Sequence, residues 1–329
     1  MAYTTIDDPA VYFQTKLYTG TSSDHAVTLD ADTDMAPNLV WIKDRDYGNY
    51  HVLFDTVRGV ENSLIPSETL AEANQHATGY LSVFGSDGFT VIAGSTNPNN
   101  VNTDAHKYVA WNWKESADAG FDIVTFTGSG ATQNISHSLS AKPEMIITKS
   151  RSADGAWYTY HGANTAAPET DFLKLEENEA TSDNATVWAD TAPTTSVFTV
   201  GSAYGDGTTY IAYLFAGKQG YSKFGIYTGN GNVSGTFVYT GFKVAWLLRK
   251  RTDSTASTWL IHDSKRGFNS NAVRLRADLN NAEDSGNQVD LLSNGFKIRE
   301  TGGYGNASGS PYIYMAFAEN PFVTSTGVP

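Results

Sequence analysis

The sequence predicts an all-β protein of three tandem antiparallel β-sandwich modules, jelly-roll or lectin-like in build. Three observations carry that expectation. A strictly alternating segment, YVAWNWKE from Tyr108, returns as YIAYLFAG from Tyr210 and as YIYMAFAE from Tyr312, at intervals of 102 residues. Four further landmarks recur around it in one order. The composition suits strands and turns, with 30 Gly, 18 Tyr and abundant Thr and Ser, and no helical period is sustained.

Each copy opens on a strand that ends in glycine: LYTG at Gly20, FTG at Gly128, YTG at Gly229. An apolar strand follows, PNLVWIK from Pro37, PEMIITK from Pro143 and FKVAWLL from Phe242, with Trp41 and Trp246 as core candidates. HVLFDTVRG (51–59) then matches WLIHDSKRG (259–267), and WYTYHG (157–162) is a weaker middle copy. SDGFTV, TSVFTV and SNGFKI bring Phe89, Phe198 and Phe296 into register. The alternating segment closes the copy. Successive strand residues face opposite sides, so Val109, Trp111 and Trp113 share a face, as do Ile211, Tyr213 and Phe215, and Ile313, Met315 and Phe317. Nine large side chains at equivalent positions require a core, worth about 1.5–3 kcal/mol for each one buried. What repeats is a packing requirement, which explains why identities drift while the alternation stays.

A period of 102 residues exceeds the roughly 20–50 of a solenoid unit and fits a small domain. The expected modules are 1–119 (an N-terminal arm plus the first sandwich), 120–222 and 223–329, joined by the short links ESADAGF and GKQGYSKF. SETLAEANQHA (67–77) reads as a Ser-capped short helix or as a long loop.

The net charge of −13 disfavours nucleic acid as a partner, because phosphates call for a basic footprint. After Lys223 the chain has ten Lys or Arg against eight Asp or Glu, so the negative excess lies earlier. KRTDS and Lys265-Arg266 can therefore dock on an acidic partner, or simply be solvated. No run approaches the roughly 18–20 apolar residues of a membrane span. MAYTTIDDPA has neither a basic nor an apolar leader region, which argues against a secretory signal. With no Cys, disulfides and thiolate metal sites are excluded.

Motifs for chemistry are sparse. Asp55 with Arg58 and Asp263 with Arg266 form a repeated D-x-x-R-G, read as ion pairs bracing a turn rather than a ligand clamp. The middle copy has His161 in the acid's place. DADTD sets Asp30, Asp32 and Asp34 in alternation like a calcium loop, but Met35 stands where such a loop needs glycine, so a solvated turn is expected. The seven His make no metal-binding spacing, and no nucleophile elbow or phosphate loop occurs; YTGNGN (227–232) reads as a hairpin turn. No catalytic residue, cofactor or metal is expected. Two carboxylates that meet only in space stay open.

The chain resembles the tandem-repeat virion proteins of marine bacteriophages. The resemblance rests on TTIDDPAVYFQTKLYTG, NLVWIKDRDYGNYHVLFDTVRG, SDGFTV with YVAWNWK, GYSKFGIYTGNGNVSGTFVYTGFKVAW with YIYMAFAENPFV, and the closing GVP. It implies concanavalin-type or SPRY-like sandwiches in a structural protein of the particle. That protein would be a fibre, knob or capsid decoration assembled in the host cytoplasm and placed to touch the host. Its implied partners are other virion proteins, further copies of itself (a trimer before other symmetries) and a host surface glycan. The family brings no catalytic motif to these positions. Two other functions are weighed: a polysaccharide depolymerase, and a bacterial adhesin, which the missing leader disfavours. The copies in tandem suggest an elongated spacer, with the N-terminal arm free to insert into a neighbour.

Overall fold

The computed structural model describes residues 4–74, 76–96, 100–267, 269, 272–286 and 289–321. Residues 1–3 of the arm and the closing FV and GVP fall outside them. The described chain is almost entirely β, in antiparallel sheets.

Three large sheets repeat one plan. The closing strand lies between the opening strand and the second landmark strand, so it is paired on both sides. In the first sheet the order is Phe13–Thr19, Lys107–Trp113, Leu39–Asp44, Val52–Asp55. The second runs Phe121–Thr127, Thr209–Phe215, Met145–Ser150, Tyr158–His161, then two short strands. The third runs Ser222–Thr228, Pro311–Pro321, Phe242–Arg251, Leu260–Asp263, again with two short strands beyond. Phe13, Phe121 and Ser222 face Trp113, Phe215 and Phe317 in equivalent registers. Each large sheet is backed by a small one: His25–Thr28 with Gly88–Ile92 and Tyr80–Gly85, Gln133–Ser136 with Val197–Val200, and Phe237–Tyr239 with Gly295–Ile298 and Val289–Leu292.

Both faces of the closing strands are buried, against different things. Tyr108 and Ala110 point to the small sheet of their own pair, packing with Phe89, Leu81 and Val27. Tyr210, Ala212 and Leu214 do the same with Phe198 and Val200, and Tyr312, Tyr314 and Ala316 with Phe296 and Val289. The other face, carrying all nine large residues from Val109 to Phe317, joins a single core shared by the three large sheets. Trp113, Phe215 and Phe317 meet there, with ring centroids 6.5, 6.1 and 5.8 Å apart. One residue position, contributed three times, thus marks the axis around which the sheets are arranged.

The landmark glycines have a steric cause. A Cβ on Gly20, Gly128 or Gly229 would lie 2.0, 2.4 or 2.2 Å from the carbonyl oxygen of Thr103, Gly205 or Ala307. Those same three residues donate their N–H groups to the hydroxyls of Tyr108, Tyr210 and Tyr312, at 2.9, 2.9 and 2.8 Å. The glycine ending the opening strand and the tyrosine starting the closing one therefore serve one close backbone approach.

Several expectations are corrected. The sheets converge on a common interior, so the chain is not an elongated spacer. Tight antiparallel bridges at the joints, Ser116 with Phe121 and Lys218 with Ser222, turn each closing strand directly into the next opening strand. The N-terminal arm is used within the chain: Ile6 is buried in the central core, and Thr4 lies against Gly220. Residues 67–77 form no helix but a loop with the short strand Ala73–Asn74 (Gln75 lies outside the described residues). Trp41 and Trp246 are both in the central core but are not equivalent. Trp246 faces Phe317 as Leu39 faces Trp113, so it stands two residues before the place that corresponds to Trp41, on the same face of its strand.

Candidate functional site

The D-x-x-R turns are local braces and something more. Arg58 donates its N–H to Asp55 Oδ1 at 2.9 Å and its Nε–H to Oδ2 at 2.5 Å; Arg266 does the same to Asp263 at 2.9 and 2.6 Å. Both pairs are fully buried, as three residues of turn alone would not require. Each acid also receives a donor from the neighbouring sheet's closing strand. The Tyr213 hydroxyl reaches Asp55 Oδ2 at 2.7 Å, and Trp111 Nε1 reaches Asp263 Oδ2 at 2.9 Å. Burial opposes the Arg58 charge, but Tyr213 and Asp55 more than offset this and hold its pKa above the ordinary value. The acids' oxygens are occupied by donors, so neither carboxylate is free to act as a base.

The network extends into the next sheet. Glu72 forks onto Arg151 at 2.9 and 3.0 Å, and Glu283 onto Arg45 at 3.0 and 2.9 Å. The N–H groups of Glu72, Thr181 and Glu283 donate to the carbonyls of Arg151, Thr252 and Arg45, at 2.9, 2.8 and 2.8 Å. The first pair is therefore tied to the second, the second to the third, and the third back to the first.

The middle copy departs because neutral groups replace the acid, the arginine and the donor at its junction with the third pair. Met315, which stands where Trp111 and Tyr213 stand, offers no donor, and His161 replaces the acid. His161 Nδ1 accepts from the Ala163 N–H at 3.2 Å, so Nε2 carries the proton and donates to the Tyr314 carbonyl at 3.0 Å. Burial pushes its pKa down to about 4. Asn164 takes the arginine's place and accepts from Thr181 Oγ1 at 2.9 Å. Acid, arginine, aromatic donor and glutamate change together across the junction. Trp111→Ala is expected to cost about 3–5 kcal/mol in a denaturant titration, from the cavity and from a donor lost to Asp263. A loss under about 1 kcal/mol would contradict its place in the core.

Three lysines were missed by sequence reasoning. Lys43, Lys149 and Lys250 lie four residues beyond Leu39, Met145 and Trp246, and all are fully buried. Their ammonium groups meet backbone carbonyls: Asp44 and Tyr47 for Lys43, Thr69 and Gly155 for Lys149, Glu179 and Arg251 for Lys250. Thr69 and Glu179 belong to the preceding pair. Burial lowers the pKa of each to about 8. The signal was visible in the terminal lysines of PNLVWIK and PEMIITK, but matching Trp246 to Trp41 sets Lys250 two positions out of register with them.

Asp30 is ion-paired to Lys16 and lies 4.0 Å from Lys265. Among the described residues no group of three or more His, Asp or Glu is placed to hold a metal ion. Glu115 and Asp122 form a carboxyl pair at the junction of the first and second pairs, where burial, then Asp122, pushes Glu115 up to about 7. No described helix is long and apolar enough to cross a membrane. On the free side of the third pair, Ile226, Phe237 and Tyr239 are exposed beside a shallow groove of about 520 Å³. A smaller hollow of about 140 Å³ lies where the N-terminal segment and first sheet meet the third.

Comparison with curated proteins and with solved structures finds no match. A family model described as "Domain of unknown function (DUF7483)" matches residues 8–321, and the chain belongs to that family.

Proposed function

We propose that this chain is a structural protein of a bacteriophage particle, a knob or decoration at the surface rather than a fibre shaft, and that it binds by shape. The observation that carries this reading is the closed arrangement of the three large sheets. Their inner faces and the buried charges of their junctions satisfy one another, so contact with partners falls to the small sheets and loops. The exposed Ile226, Phe237 and Tyr239 supply an apolar patch for other particle proteins. Further copies of the chain and a host glycan are the remaining proposed partners. The whole-chain resemblance to virion proteins adds the particle itself.

Mass spectrometry of purified virions should find this chain, and cryo-electron microscopy should place its three-lobed density on head or tail. Its absence from purified particles would sink the proposal. Incubation with host envelope polysaccharide should leave the chain lengths unchanged. Shortened products would instead favour the depolymerase reading.

A further inference from the structure

We infer that the open edge of the third pair binds an extended segment of another protein, one that alternates apolar side chains and carries a carboxylate beside them. This rests on the apolar patch proposed above and names the partner chemistry it would take. The groove of about 520 Å³ runs along two edge strands, Ser222–Thr228 of the large sheet and Phe237–Tyr239 of the small one. Gly229 donates its N–H to the Ser310 carbonyl, and the Tyr221 carbonyl accepts from Ala318. Hydrogen bonding alternates along an antiparallel ladder, so Lys223, Gly225 and Tyr227 bond to the closing strand. Phe224 and Ile226 therefore turn their N–H and C=O groups outward, where no described residue bonds to them. Lys223 Nζ bridges the groove to the Tyr239 carbonyl at 2.7 Å, and Thr236 Oγ1 bridges it to the Thr228 carbonyl at 2.6 Å. A slot between two sheet edges, with unmade backbone bonds along one wall, suits an added strand.

Equivalent positions show what sets this edge apart. Opposite Ala110 the first copy has Lys16, ion-paired to Asp30, and opposite Ala212 the second has Val124, packed on the core of its own pair. Opposite Tyr314 the third has Gly225, where a Cβ would come within 2.7 Å of the Tyr314 hydroxyl. An aromatic ring lying flat replaces a standing side chain. Leu17 and Thr125 correspond to Ile226, Ala26 and Asn134 to Phe237, and Thr28 and Ser136 to Tyr239. Ile226, Phe237 and Tyr239 are 47, 45 and 47% exposed. Sheets blunt open edges with charge, as Lys16 does, whereas this edge presents apolar bulk. Charge then selects the occupant. Lys223 is the one charged residue lining the groove, and Lys297 stands opposite Phe237. Residues 223–329 carry eleven Lys or Arg against eight Asp or Glu, and residues 1–222 carry eleven against 27. A second copy presenting the same edge would set lysine against lysine, so a different chain with acid beside its apolar residues is favoured.

Fluorescence anisotropy of the full chain with labelled hexapeptides EVTVTV, VTVTVE and the neutral QVTVTV tests this. At least one acid-bearing probe should bind with Kd below about 1 mM, and about threefold more tightly than the neutral one. Hydrogen exchange should show the Ile226 N–H protected only when that probe is bound. The triple variant Ile226→Thr, Phe237→Asn, Tyr239→Ser installs the residues of the second copy at exposed positions. It should weaken binding at least about tenfold while the melting temperature holds. Lys223→Met should erase the preference for acid. No saturable binding of either acid-bearing probe at about 1 mM, or binding unchanged in the triple variant, overturns the proposal. So does a dimer of the parent chain in sedimentation that the triple variant loses, which would assign the edge to a second copy. Tighter binding of FVTSTGVP, the sequence of residues 322–329, would assign it to the chain itself and overturn the proposal equally. None of these outcomes touches the particle assignment, which the virion mass spectrum decides separately.

Discussion

Asp263→Ala is expected to lower unfolding free energy by about 3–5 kcal/mol, the range for removing one member of a buried ion pair. The Arg266 side chain is fully buried, and with alanine it loses its 2.6 Å carboxylate contact while staying out of reach of water. Its remaining partners are the Ile261 carbonyl at 3.1 Å and Glu283 at 3.2 Å, and Glu283 is already shared with Arg45. Trp111 Nε1 is orphaned at the same time. An exposed pair such as Lys174 with Glu177, its side chains about one third exposed, should cost only about 0–1 kcal/mol when broken. Denaturant titrations of the two variants compare these directly. A double-mutant cycle of Asp263→Ala with Trp111→Phe should show about 0.5–3 kcal/mol of coupling. If Asp263→Ala costs no more than the exposed pair, the buried network does not stabilise the junction.

That network shows where reading the sequence succeeds and where it stops. The alternation of Val109, Trp111 and Trp113 announces a buried face because strand geometry is local. It does not say what covers that face. Tyr108 and Ala110, on the other side, are just as buried, and the two interiors differ only in which distant strands supply them. The large face proves to be the common one, a fact set by contacts between residues a hundred or more positions apart. Asp55 and Arg58 are legible as a turn for the same local reason, whereas Tyr213, 158 residues away, is not. The middle copy's His161 looks like a lapse in the repeat until Met315 is placed beside it in space. The pair is then consistent: without a donor opposite, a buried carboxylate would be a liability. The offset of Trp246 from Trp41 escapes periodicity for another reason: a shift of two residues along a strand keeps the same face.

Stability should rise between about pH 8 and pH 10, the reverse of what a −13 chain with no buried cations would do. Lys43, Lys149 and Lys250 have folded pKa values lowered by burial to about 8, against an ordinary 10.5. Below pH 8 both folded and unfolded chains hold these protons, and the folded state carries the full cost of three buried ammonium groups. Between the two values the unfolded chain binds more protons than the folded one, so raising the pH favours folding. Each lysine adds at most about 1.4 kcal/mol per pH unit in that window. Nearby charges temper this without cancelling it. Asp44 and Glu283 favour the Lys43 charge and Arg266 disfavours it; Glu176 and Asp154 favour that of Lys149. For Lys250, Asp278, Asp253 and Glu179 act against Arg251. The gain ends near pH 10, where unfolded tyrosines ionise while buried ones, raised by desolvation at Tyr18, Tyr204, Tyr213 and Tyr221, do not. Denaturant titrations across the window should show the midpoint moving upward. Lys149→Met should remove about one third of the slope, since one of three equivalent protons no longer titrates. A flat or falling midpoint between pH 8 and 10 would mean that the three ammonium groups are far better compensated by their carbonyls than burial alone allows.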